Sequence, residues 1–175
     1  MTKEGWIKNT ILFGKYRLLH QLGTGRAGTV WLAVHIGLEE YRAIKRISKR
    51  DADYDTFRKE ALVLKELRHP GIPMIYDLEE DSEFFYLIEE YLEGYSLYAL
   101  IVNQGPIQEA EAVRYGMQVC GLVAYMHSAC EIPILHLDLQ PNNLIICNGT
   151  VKLIDFDHAA GCRWANTAPK RFGTV

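Results

Sequence analysis

Near residues 92–96 the character of the chain changes, from short β-prone runs to helical ones. Between Tyr16 and Ile47, YRLLHQL, TVWLAVHI and YRAIKRI are separated by glycines and by GLEE, the pattern of an antiparallel meander. A helix is expected over about residues 55–68, with acidic residues at its front and Phe57, Ala61 and Leu64 sharing one face. HPGIP ends it, and MIYDLEE and FFYLIEEYL read as two more strands joined at DSE. Beyond Gly94, SLYALIVNQ reads as a short helix closed by Gly105. Pro106 suits the first turn of a longer helix reaching about Ser128, with Val113, Met117, Cys120 and Ala124 on its inner face. The strands LIIC and VKLI then flank NGT, and the tail has no clear periodicity. This order predicts two lobes joined by a short hinge, and a cleft between lobes is a common place for a ligand.

Composition narrows the classes. The 175 residues are 49% apolar and 23% charged, as in a folded globular protein rather than a disordered one. A net charge of −3 and a pI near 6.1 speak against a general nucleic-acid binder. No run approaches the roughly 18 apolar residues of a membrane-spanning helix, and MTKEGWIKNT has no apolar block behind a basic head. Cys120, Cys130, Cys147 and Cys162 form no CxxC pair, so buried thiols in a reducing compartment are expected, with the cytoplasm as the default.

Two stretches carry chemistry late in the chain, HLDLQPNNL (136–144) and VKLIDFD (151–157). They set Asp138, Asn143 and Asp155 beside apolar strands, where an ionised carboxylate is costly unless paired or holding a metal. Turn residues are one reading and a divalent-cation site the other. In GTGRAGTV (23–30), Gly23, Gly25 and Gly28 have GxGxxG spacing, which fits either a glycine-rich hairpin or a backbone that approaches phosphate oxygens. A dinucleotide fold would place a helix next, whereas the strand-like TVWLAVHI follows. Lys45 lies in a half-buried strand, and Glu60 lies on the apolar face of the first helix, where it needs a cation. Lys45 is the nearby candidate, and a lysine held by a glutamate is well placed to bind nucleotide phosphates.

In order, GxGxxGxV, AIK, a helical Glu, HxDxxxxN and DF resemble the eukaryotic-like serine/threonine protein kinases over residues 16–175. The resemblance implies an α+β, protein-kinase-like two-lobe fold. It would comprise an N-terminal extension (1–15), a β-rich N-lobe with one main helix (16–91), a hinge (90–95) and a partial, mainly helical C-lobe (96–175) ending within the activation segment. It also implies ATP and magnesium as cofactors and a protein serine or threonine hydroxyl as acceptor. Lys45 would hold the α- and β-phosphates and pair with Glu60, Asp138 would accept the hydroxyl proton, and Asn143 and Asp155 would bind the metal. The ATP pocket would comprise Leu22, Gly23, Thr24, Gly25, Arg26, Ala27, Gly28, Thr29, Val30, Ala43 and Lys45, with the backbones of Glu90 and Leu92 meeting the base. Leu64, Leu78, His136 and Phe156 match the apolar stack that links the lobes, which makes His136 a packing residue.

The resemblance has departures. Leu137 replaces the arginine of HRD, which removes the usual partner of a phosphorylated activation loop and makes Thr167 a poor regulatory site. Gln140 replaces a lysine near the γ-phosphate, which implies slow transfer; Asp157 replaces the glycine of DFG, which implies a stiffer loop. Glu89 falls at the back of the ATP pocket and needs a partner. KRFGTV, with Thr174, resembles the lead-in to a segment that does not follow, which implies an incomplete domain that binds nucleotide weakly and transfers phosphate poorly. Phe156 and the apolar face of the long helix would then lack part of their cover. Two alternatives remain, a small-molecule phosphotransferase of the aminoglycoside or choline kinase type and a catalytically silent binding module. HLDLQPNNL and LIDFD also resemble the former; truncation would produce the latter.

Overall fold

The computed structural model describes residues 7–25, 28–52 and 54–161. Its first half is an antiparallel sheet of β1 (Ile11–Leu12), β2 (Tyr16–Gly25), β3 (Gly28–His35), β4 (Glu40–Ser48), β5 (Ile75–Glu80) and β6 (Phe84–Glu90). The order across the sheet is β1-β2-β3-β4-β6-β5. Alternation of side chains builds both faces. Leu18, Ala33, Ile44 and Ile88 are buried together on one, while Ile47, Phe85 and Leu87 face α1 (Tyr54–Glu66) on the other. Phe57 and Ala61 of α1 meet that second face, and the Phe57 ring stacks on Phe85 with centroids 4.8 Å apart. The predicted apolar face of this helix is therefore the buried one.

After Gly94 the chain builds its second half. A Cβ at Gly94 would stand 2.3 Å from the carbonyl oxygen of Ile146, so the connector passes closer to the lower sheet than any side chain allows. The next residues, β7 (Tyr95–Ser96), pair with β9 (Leu144–Cys147), which pairs in turn with β10 (Thr150–Leu153). Ser96 caps α2 (Leu97–Gln104) by accepting the Ala99 N–H at 3.1 Å, and Gly105 closes the helix at φ 86°. The long helix α3 (Glu109–Ser128) packs against β10 and β8 (Ile134–Leu135), and β8 pairs with β11 (Ala160–Gly161). Another buried cluster runs from Leu64 and Ile72 to Leu122, Met126, Leu153 and Phe156, so the end of α1 and the connector after it pack into the core of the second half.

Four expectations are corrected here. Pro106 lies in the loop before α3 rather than in its first turn. The inner face of α3 is Tyr115, Leu122 and Met126, whereas Val113 and Met117 are 55% and 71% exposed. The helix carries two apolar stripes on roughly opposite sides, and spacing alone cannot tell which one meets the core. Phe156 is fully covered, because Ala159 and the His136 ring close over it. The free thiols Cys120, Cys130 and Cys147 are exposed or half-buried rather than buried. Cys162 lies outside the described residues, as do Thr167 and Thr174.

Candidate active site

Lys45 stands in the middle of β4, opposite Val30 of β3 and Leu87 of β6. Only 6% exposed, it needs compensation for its charge. Its Nζ donates to both carboxylate oxygens of Glu60, at 3.3 and 3.1 Å, as the spacing on α1 predicts. It also reaches across the cleft to Asp155 Oδ1 at 3.1 Å and to Asp157. Burial works against this ammonium, but Glu60, Asp157, Asp155 and Glu89 outweigh it and push its pKa up.

Four carboxylates thus share one cation. Burial pushes Glu60 well above the usual carboxylate range despite Lys45. Burial also pushes Glu89 up to about 7, with the Lys45 ammonium as the one charge opposing the rise; among the described residues no ion pair joins the two. Burial opposes the charge on Asp157 as well, yet hydrogen bonding to Glu60 and attraction to Lys45 hold it below its ordinary value. Among these carboxylates Glu60 and Glu89 are thus shifted upward and Asp157 downward. Oxygens of Glu60, Asp155 and Asp157 all lie within 4.8 Å of one another.

Across the cleft, the loop between β8 and β9 holds Asp138. Its Oδ2 accepts from Gln140 Nε2 and Asn143 Nδ2, both at 2.9 Å, and Asn143 Nδ2 also donates to the Asp138 carbonyl. With its amide nitrogen so engaged, Asn143 has its side-chain oxygen left for a cation. His136 underpins this loop. Its Nε2–H donates to the Ile154 carbonyl at 3.1 Å, and its Nδ1 accepts the Asp138 N–H at 3.3 Å. Both bonds together require the neutral ring, and burial lowers its pKa accordingly. Leu137 and Asp155, on either side of this bond, hold left-handed backbone at φ 63° and 66°, a conformation costly for side chains other than glycine.

These groups line one cleft of about 1120 Å³ between the two halves. Leu22, Gly23, Thr24, Gly25, Gly28, Val30 and Ala43 wall it from above, and Glu90 and Leu92 lie at its edge. At Gly28, where φ is 129°, a Cβ would fall 2.0 Å from the Arg46 carbonyl oxygen, so the turn into β3 requires glycine. The Glu90 N–H already donates to the Met74 carbonyl at 2.8 Å, so any bond from Glu90 to a base would come from its carbonyl. Thr29 stands beside the wall in β3 but is not among the lining residues; Arg26 and Ala27 lie outside the described residues. The predicted Lys45, Glu60, Asp138, Asn143 and Asp155 are brought together. The grip of Asp157 on Lys45 and of Gln140 on Asp138 was not foreseen. An acid two residues after Asp155, in IDFD, was the available signal for the first.

The sequence pattern of the protein kinase domain matches residues 16–175. The chain belongs to that family, and its β-rich first lobe and helical second lobe are those of the protein kinase fold. It is 37% identical over 146 residues to the probable serine/threonine-protein kinase KIN1 homolog of Enterocytozoon bieneusi (strain H348), covering 82% of this chain and 24% of that protein. To the serine/threonine-protein kinase PrkC of Bacillus subtilis (strain 168) it is 36% identical over 149 residues, or 82% and 22% of the two chains. To calcium-dependent protein kinase 5 of Plasmodium falciparum (isolate 3D7) it is 33% identical over 148 residues, or 82% and 26%. The chain spans about a quarter of the length of these relatives. Use of ATP and magnesium is general to the family. Among the described residues, no helix is long and apolar enough to cross a membrane.

Proposed function

We propose that this chain carries the nucleotide cleft and catalytic loop of a serine/threonine protein kinase, moving the γ-phosphate of ATP to a protein hydroxyl. The observation that supports this most is the meeting of Lys45, from the upper sheet, with Asp155, from the loop after β10, at 3.1 Å in a cleft that also holds Asp138 and Asn143. In this reading 1–15 is an extension that adds β1 to the sheet, 16–91 the small lobe, 90–95 the hinge and 96–175 the large lobe. The glycine turn, Val30 and Ala43 enclose the nucleotide, and the Glu90 carbonyl and Leu92 backbone orient its base.

The donors fit magnesium. Asp155 and Asn143 offer hard oxygen ligands, and four carboxylates around one ammonium leave negative charge that a divalent cation relieves. When bound, the metal supplies charge neutralisation at the phosphates. Lys45, braced by Glu60, binds phosphate oxygens. Asp138, its Oδ2 held by two amides, presents Oδ1 to accept the proton of the substrate hydroxyl. A cytoplasmic setting accords with the free thiols.

The test is a single-turnover assay with enzyme in excess over labelled ATP, magnesium and peptides bearing serine, threonine or tyrosine. Label on serine or threonine, lost in Asp138→Asn, is expected even if transfer is slow. Label on choline or an aminoglycoside, with none on peptide, would contradict the proposal.

A further inference from the structure

Glu89 lines the catalytic cleft, yet no step of the transfer uses it. It lies near the end of β6, paired in register with Ala43 of β4 and Ile75 of β5, and Ala43 is itself part of the cleft wall. Among the described residues no hydrogen bond and no ion pair reaches its carboxyl, whereas Glu60, Asp138, Asp155 and Asp157 each hold at least one. Among those residues no side-chain oxygen is both buried and without a partner, so the half-buried Glu89 opens its oxygens onto the cleft rather than into the core. Its carboxyl is an acceptor free to take a hydrogen bond from a ligand.

Two kinds of ligand could satisfy such a group, a cation or an N–H donor. The acids that gather their oxygens closely enough to share a metal are Glu60, Asp155 and Asp157, and Glu89 is not among them. An N–H donor is the better match, and a nucleobase carries one. The amino group of adenine has two N–H bonds, of which one backbone carbonyl takes only one. Glu89 directly precedes Glu90, whose carbonyl orients the base in the function proposed above, so the Glu89 carboxyl flanks the same edge of the ring. Guanine presents an oxygen acceptor where adenine presents that amino group. A carboxyl facing this oxygen would leave two acceptors opposed and unsatisfied.

We propose that Glu89 reads the nucleobase: its carboxyl accepts the second N–H of the adenine amino group and turns away a base that carries oxygen at that position. This rests on the nucleotide-binding role given to the cleft above. Lys45 and the acids around it handle the triphosphate and cannot tell one base from another, so the discrimination belongs to Glu89 and the backbone beside it. The carboxyl can act in either protonation state, because its carbonyl oxygen accepts in both.

The test is calorimetric titration of the 175-residue chain with Mg·ATP and with Mg·GTP, for wild type, Glu89→Gln and Glu89→Leu. The triphosphate and its metal are common to both ligands, so any effect of Glu89 on Lys45 cancels in the ratio of the two affinities. Wild type is expected to bind ATP at least about tenfold tighter than GTP. Glu89→Gln, whose amide can also donate to the guanine oxygen, is expected to narrow that ratio by about tenfold, mainly through tighter GTP binding. Glu89→Leu, which can accept nothing, is expected to narrow it as well, and thermal melting checks the fold of both variants. Equal affinity of the wild type for the two nucleotides, which needs no variant, would overturn this role for Glu89. So would a ratio unchanged in both variants, and either result would leave the ATP cleft standing. Binding of neither nucleotide to the wild type would overturn the cleft's role and, with it, that of Glu89.

Discussion

Glu89 and Asp157 are the two residues that set this cleft apart, and both act on Lys45. Glu89 titrates at about 7 in the folded chain against an ordinary 4.5. Between those values the folded state holds the proton more tightly than the unfolded one, so stability falls as pH rises from 4.5 to 7. Above that window the penalty is complete, on the order of 3 kcal/mol with the attraction of Lys45 already counted in the shift. Glu89→Gln is therefore expected to be more stable than the parent at pH 8 and to lose that advantage near pH 4.5, as read by urea unfolding at both pH values. Asp157 competes with phosphate for the Lys45 ammonium. Asp157→Asn removes that competing charge, and calorimetry with Mg·ATP is expected to show affinity several-fold tighter than wild type; unchanged or weaker binding would mean that Asp157 does not oppose the ligand.

The helices and strands were mostly legible, and the exceptions are instructive. Strand alternation and turn residues located β2 to β6, β9 and β10 because each strand has one face that must be buried. In α1 the single apolar face left no choice of orientation. In α3 there were two candidate stripes, and only the neighbouring strands decide between them. The choice has a measurable consequence. Leu122→Ala, at a position only 2% exposed, should cost about 3 kcal/mol, whereas Met117→Ala, at 71%, should stay within about 0.5 kcal/mol. Equal costs in chemical denaturation would show that the outer stripe is also packed. Pro106 was placed too early in the helix because proline is compatible both with a first turn and with the loop before it.

The assembled molecule turns two chemically ordinary surfaces into one site. Lys45 and Glu60 were legible as a pair because a carboxylate on an apolar helix face needs a cation, and Asp138, Asn143 and Asp155 because their spacing matched a known order. What could not be read from spacing is that Asp157 reaches the same ammonium, since that depends on how the lobes close on each other, whereas Glu89 lies beside Lys45 through the register of β6 on β4. Calorimetric titration of ATP, with magnesium and with excess chelator, tests most directly whether Lys45 and the Asp155–Asn143 pair serve one metal-bound triphosphate. Tighter binding with magnesium, and loss of that difference in Asp155→Ala, is the predicted result. Equal affinity with and without the metal, or a magnesium effect that survives Asp155→Ala, would contradict it.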